Sequence, residues 1–81
     1  GNERVAREKD VQIRIEGCTL QVITASKEAV CTLYSVEGQV LQHWNIHDGG
    51  LTETLAPGRT YIVNVYTGKE SYSQKIIAQE K

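Results

Sequence analysis

Between Val11 and Ala78 the chain is a succession of short runs in which apolar and polar residues alternate, most of them ended by a glycine-bearing turn. This pattern constrains the fold more than any other feature. A period of two puts every second side chain on one face of a strand, and no run shows the 3.6-residue period of a helix. Val11–Ile15 alternates and is broken by Gly17. Cys18–Thr24 alternates again, with Cys18, Leu20 and Val22 on one face. Residues 25–28 are polar and fit a short loop, and Ala29–Val36 is rich in the β-branched and aromatic residues that suit a pleated surface.

Turn chemistry divides the rest. Glu37-Gly38 reads as a hairpin turn before Gln39–Ile46, with glycine supplying the positive φ a tight reversal needs. Asp48-Gly49-Gly50 closes the next segment, and Leu51–Leu55 is short enough for an edge strand. Pro57-Gly58 sets a turn in which proline fixes one φ and glycine accepts the other. Thr60–Thr67 follows, with Tyr61, Val63 and Val65 on one face; Gly68-Lys69 is a second hairpin signal before Ser71–Ala78. About seven short strands with such spacing predict an all-β fold, an immunoglobulin-like antiparallel β-sandwich. Leu20, Val22, Leu33, Val63 and Val65 are its expected core.

A chain of 81 residues holds one domain. Residues 1–10 are read as a flexible charged N-terminal arm and 11–81 as the single sandwich domain. Gly1, in a chain without methionine, is expected to be the scar of a removed tag, with a natural leader lost upstream. The net charge of -1, with acids and bases interspersed, gives no basic stripe for nucleic acid. No apolar run approaches the ~20 residues of a membrane span.

The runs Cys31–Leu41, Leu55–Val65 and Lys75–Ile77 carry a resemblance. In them Leu33, Tyr34, Gly38, Leu55, Gly58, Tyr61, Val63 and Val65 fill a hairpin-then-strand pattern. It resembles a family of small secreted Bacteroidetes domains of unknown function with an immunoglobulin-like sandwich. More distantly it resembles the C-terminal sorting domains of type IX secretion. The resemblance covers roughly the last 50 residues. It implies an exported domain, secreted, periplasmic or cell-surface, and no catalytic residue. It leaves open a stand-alone module, a sorting domain, and a carbohydrate- or protein-binding accessory domain.

Candidate chemistry is sparse. His43 and His47 would stand ~13 Å apart on one strand, too far to share a zinc ion bonded at about 2 Å. Neither a metal nor a cofactor is expected. If Ser26-Lys27 is a hairpin apex, Cys18 and Cys31 are offset by four residues, beyond the reach of a disulfide. Pairing across two sheets must span about 10 Å. Two buried, reduced thiols are the favoured reading. The serines lack a nucleophile-elbow context, and no acid pair is placed together, so no enzyme is expected.

The aromatic residues are the most distinctive feature. Trp44 shares a face with Val40 and Ile46 and is expected in the core. With Leu33, Tyr61, Val63 and Val65 inward, alternation turns Tyr34, Ile62 and Tyr66 outward as the expected contact surface, for a protein or glycan partner. The cover for that row would be the N-terminal arm, a second copy or a ligand. One residue of loop length at Gly68 decides the face of Tyr72.

Overall fold

The structure, a computed structural model, describes residues 4–8 and 10–80, with side chains over 10–80. Eight strands make up the fold: β1 (Arg4–Glu8), β2 (Val11–Glu16), β3 (Thr19–Thr24), β4 (Glu28–Ser35), β5 (Val40–His47), β6 (Gly50–Thr54), β7 (Arg59–Tyr66) and β8 (Ser71–Ala78). They form two four-stranded antiparallel sheets, ordered β1-β2-β3-β6 and β5-β4-β7-β8. The molecule measures 32 × 29 × 17 Å. Its short dimension suits two sheets packed about 10 Å apart, with side chains on both outer faces.

The seven strands predicted between Val11 and Ala78 are β2 to β8. The eighth, β1, lies in the segment read as an arm: Arg4 pairs with Ile15 and Glu8 with Val11 along the free edge of β2. An edge strand needs ladder partners on one side only, and a charged sequence suits an edge because it discourages pairing with a second chain.

The chain changes sheet between β3 and β4, between β5 and β6, and between β6 and β7. This corrects one local expectation. Residues 25–27 are not a hairpin apex; they carry the chain across the sandwich, so β3 and β4 do not pair. Pro57-Gly58 is likewise a crossing between sheets. It is fixed by Tyr61, whose phenolic hydroxyl donates to the Ala56 carbonyl at 3.0 Å. A tyrosine at the start of a strand, bonded back to the backbone just upstream, is the corner device of immunoglobulin-like sandwiches.

Alternation accounts for the core. Leu20, Val22, Cys31, Val63 and Val65 are fully buried, and Leu33 is nearly so. All five residues of the expected core therefore lie between the sheets. Val11, Ile13 and Ile15 of β2 and Ile76 and Ala78 of β8 extend it. Backbone bonds tie the strand ends together: Leu55 N–H to Cys18 C=O (2.8 Å), Ala25 N–H to Asp10 C=O (2.8 Å) and Gly58 N–H to Ala78 C=O (2.7 Å).

The β4–β5 hairpin is less simple than a two-residue turn. Residues 36–39 form its loop, with Gly38 at φ +94° and both Gly38 N–H and the Ser35 carbonyl engaged in a 2.9 Å bond. Beyond it the register slips: Leu33 pairs with Gln42, but Tyr34 pairs with Val40. Leu41 is the extra residue of a β-bulge, and a bulge reverses the alternation beyond it. Val40 is therefore turned outward and 55% exposed, against the expectation that it shares a face with Trp44 and Ile46. Ile46 is buried and Trp44 half-buried against the core.

Candidate binding face

The outer face of the β5-β4-β7-β8 sheet is built by the residues between the buried positions. On β4 these are Val30, Thr32 and Tyr34, and on β7 Ile62, Asn64 and Tyr66. Tyr34 stands directly opposite Ile62, and Tyr66 opposite Val30 and Ser71. Tyr34, Ile62 and Tyr66 thus share the outer face, but not as one row. Tyr66 lies four residues along β7 from Ile62, about 13 Å, and Asn64 stands between them.

The face has two halves. At one end Tyr34, Ile62 and Val40 lie side by side, with Ile77 opposite the neighbouring Thr60. Tyr34 and Ile62 are half-buried, while Val40 and Ile77 are exposed. The other half is polar. One row across the four strands reads His43, Thr32, Asn64, Ser73, and the next Asn45, Val30, Tyr66, Ser71. None of these eight is Asp, Glu, Lys or Arg, in a chain that is 23% charged.

Within the polar half the Asn64 amide nitrogen donates to Ser71 Oγ at 2.7 Å and to Ser73 Oγ at 3.0 Å. Tyr66 is 50% exposed, and its hydroxyl reaches the Gly68 carbonyl at 3.4 Å. Asn64, Ser71 and Ser73 were not singled out from the sequence. Their signal was present: the turn at Gly68-Lys69 sets Asn64 opposite Ser73, and alternation gives both the parity of Tyr66.

Residues 4–8 of the N-terminal segment, as β1, belong to the opposite sheet and do not cover this face. Tyr72, opposite Val65, faces inward and packs half-buried against the core; its hydroxyl donates to the Glu70 carboxylate at 2.8 Å. His43 and His47 are exposed on β5, opposite Thr32 and Glu28. Among the described residues no group of three or more His, Cys, Asp or Glu is placed to hold a metal ion. No helix among them is long and apolar enough to cross a membrane.

Both cysteines are free. Cys31 is buried at the centre of β4. Burial pushes its thiol up to about 12, and the charge of Glu53 adds to the shift. A thiol so held is inert as a nucleophile at neutral pH. Cys18 does not fit the expectation of two buried thiols. β3 begins at Thr19, leaving Cys18 half-buried in the preceding turn, beside a shallow open depression lined by Glu16, Gly17, Thr19 and Glu80.

No family model matches this chain, and no curated protein matches it.

Proposed function

We propose that this chain is an exported, non-catalytic binding module acting through the outer face of the β5-β4-β7-β8 sheet. The observation that carries the reading is the outward row Val40, Tyr34 and Ile62, closed by Lys75, with Ile77 beside it: Val40 and Ile77 stand exposed and Tyr34 and Ile62 are half-buried. Contiguous apolar groups on the surface of a small domain mark contact sites. The inert Cys31 thiol and the separated histidines favour contact over chemistry. Export is supported by the resemblance to secreted Bacteroidetes domains. A sorting role in type IX secretion would use the same skeleton, and what its gene encodes before this sequence separates the two: a leader there favours a stand-alone module, a catalytic domain a sorting tag.

The contact face is tested without knowing the ligand. Phenol and isopropanol are titrated into ¹⁵N-labelled protein and amide shifts are mapped. Shifts gathered around Tyr34, Ile62 and Tyr66 are expected, because small amphipathic probes collect where apolar groups lie open. Shifts gathered on the β1-β2-β3-β6 sheet would refute the assignment.

A further inference from the structure

We propose that the uncharged half of this face binds a neutral oligosaccharide, with Tyr66 as the stacking ring and Asn64, Ser71 and Ser73 as partners for sugar hydroxyls. The inference rests on the outer face being the contact surface, and names the class of ligand it takes.

The hydrogen-bond inventory supports it. Asn64 has two amide hydrogens, and the two bonds to Ser71 and Ser73 use both. Its Oδ1 remains an acceptor. Each serine oxygen already accepts from Asn64, so each serine keeps its own O–H to donate. One strand pair therefore presents a carbonyl acceptor and two hydroxyl donors tied together through the Asn64 amide nitrogen, held in place before any ligand arrives. Fixed groups lose little freedom on binding. Sugar hydroxyls, each of which both donates and accepts, match a cluster that offers both functions. Tyr66, two residues further along β7 and opposite Ser71, offers an exposed ring for the C–H face of a pyranose.

Charge and size narrow the class. An acidic glycan needs a basic partner, and neither polar row holds one; Lys75 lies opposite Ile62 in the apolar half. Lys69 and Glu70, in the adjoining turn, are of opposite sign. Two rows across four strands cover about 19 by 13 Å, or ~250 Å². That is roughly a third of what each partner gives to a standard protein interface. The polar half is too small for a stable protein contact and is of the scale of a short sugar chain.

The test uses the whole ¹⁵N-labelled chain and four uncharged probes, cellohexaose, mannohexaose, xylohexaose and maltohexaose, with oligogalacturonate as an acidic comparator. At least one neutral probe is expected to shift the amides of Thr32, Asn64, Tyr66, Ser71 and Ser73, with an affinity that does not change between low and high salt. Tyr66→Ala and Asn64→Ala should each weaken it about tenfold or more, the loss of ~1.4 kcal/mol, while Lys75→Gln leaves it unchanged. Ser73→Ala serves as a second probe of the cluster should Asn64→Ala disturb the fold, which retained amide dispersion would report. No shift at these amides with any of the four, shifts confined to another surface, or tighter and salt-sensitive binding of the acidic comparator would each overturn the proposal. If phenol and isopropanol still gather on this face while the sugars do not, the ligand class falls and the contact face stands. If they gather elsewhere, the contact face falls too.

Discussion

Gly49 and Gly58 provide a matched pair for testing how the sheet crossings are held. Both have positive φ, +81° and +76°. They differ in what surrounds them. A Cβ on Gly49 would lie 2.7 Å from the Thr24 carbonyl oxygen, whereas one on Gly58 would meet nothing within 4 Å. Alanine at positive φ costs about 1–2 kcal/mol at either site. At Gly49 the obstructing atom is backbone and cannot rotate away. Relief requires β3 and the β5–β6 turn to separate, which weakens the 2.9 Å bond from Thr24 N–H to the Gly49 carbonyl, a further ~0.5–1.5 kcal/mol. Gly49→Ala should therefore cost ~1.5–3.5 kcal/mol and Gly58→Ala ~1–2 kcal/mol. Urea unfolding reads the difference. With m near ~1 kcal/mol/M for a chain this small, the two midpoints should be separated by ~0.5–1.5 M. Equal midpoint shifts at unchanged m would refute the claim that the β5–β6 turn is locked by its approach to Thr24.

Other substitutions probe the remaining features. Tyr61→Phe deletes the hydroxyl that fixes the β6–β7 crossing and should cost about 1 kcal/mol by the same urea assay; unchanged stability would mean the corner bond contributes nothing. Iodoacetamide should label Cys18 in the folded protein and Cys31 only on unfolding, as mass spectrometry will show; native labelling of Cys31 would contradict its burial. Because folding raises the Cys31 thiol from 9.0 to about 12, the unfolded chain loses that proton first. The contribution is complete below pH 9 and declines from pH 9 to 12, at up to ~1.4 kcal/mol per pH unit; Cys31→Ala should lack that slope, and identical slopes would refute it. The double change Tyr34→Ser with Tyr66→Ser should leave unfolding nearly unaltered beyond ~0.2–1 kcal/mol per lost cross-strand pair while weakening any ligand; loss of folding would place these rings in the core.

The sandwich was legible because its strands alternate cleanly and its turns carry glycine where positive φ is needed. The inward and outward sets of β4 and β7 followed from that alternation alone, and so did the placement of Tyr34, Ile62 and Tyr66. Pairing was less legible. Which of two sheets a strand joins depends on whether a short link folds back or crosses, and Ala25-Ser26-Lys27 has no residue that decides it. The bulge at Leu41 was hidden for a similar reason: an extra residue changes register without changing composition. β1 was missed because an edge strand has little apolar pattern of its own and takes its place from the unpaired edge of β2. On the proposed binding face alternation gave the rings, but Asn64 and its two serines emerge only when β7 and β8 are set in register.

The eight residues that carry the resemblance to secreted domains have separable roles. Leu33, Leu55, Tyr61, Val63 and Val65 are buried, and Gly38 and Gly58 occupy positive-φ turns. Those seven build the sandwich and would be required by any ligand-free version of it. Tyr34 alone points outward. A pattern made of such residues selects a fold and is silent about what the fold contacts. On the proposed reading, specificity resides at the outward positions of β4, β7 and β8, where packing demands nothing. Asparagine at 64 with serine at both 71 and 73 is not required by the core or by any turn. Two chains sharing the skeleton but differing there should share stability and differ in ligand, so sequences that keep this trio with the Tyr66 ring are the ones expected to share its binding chemistry.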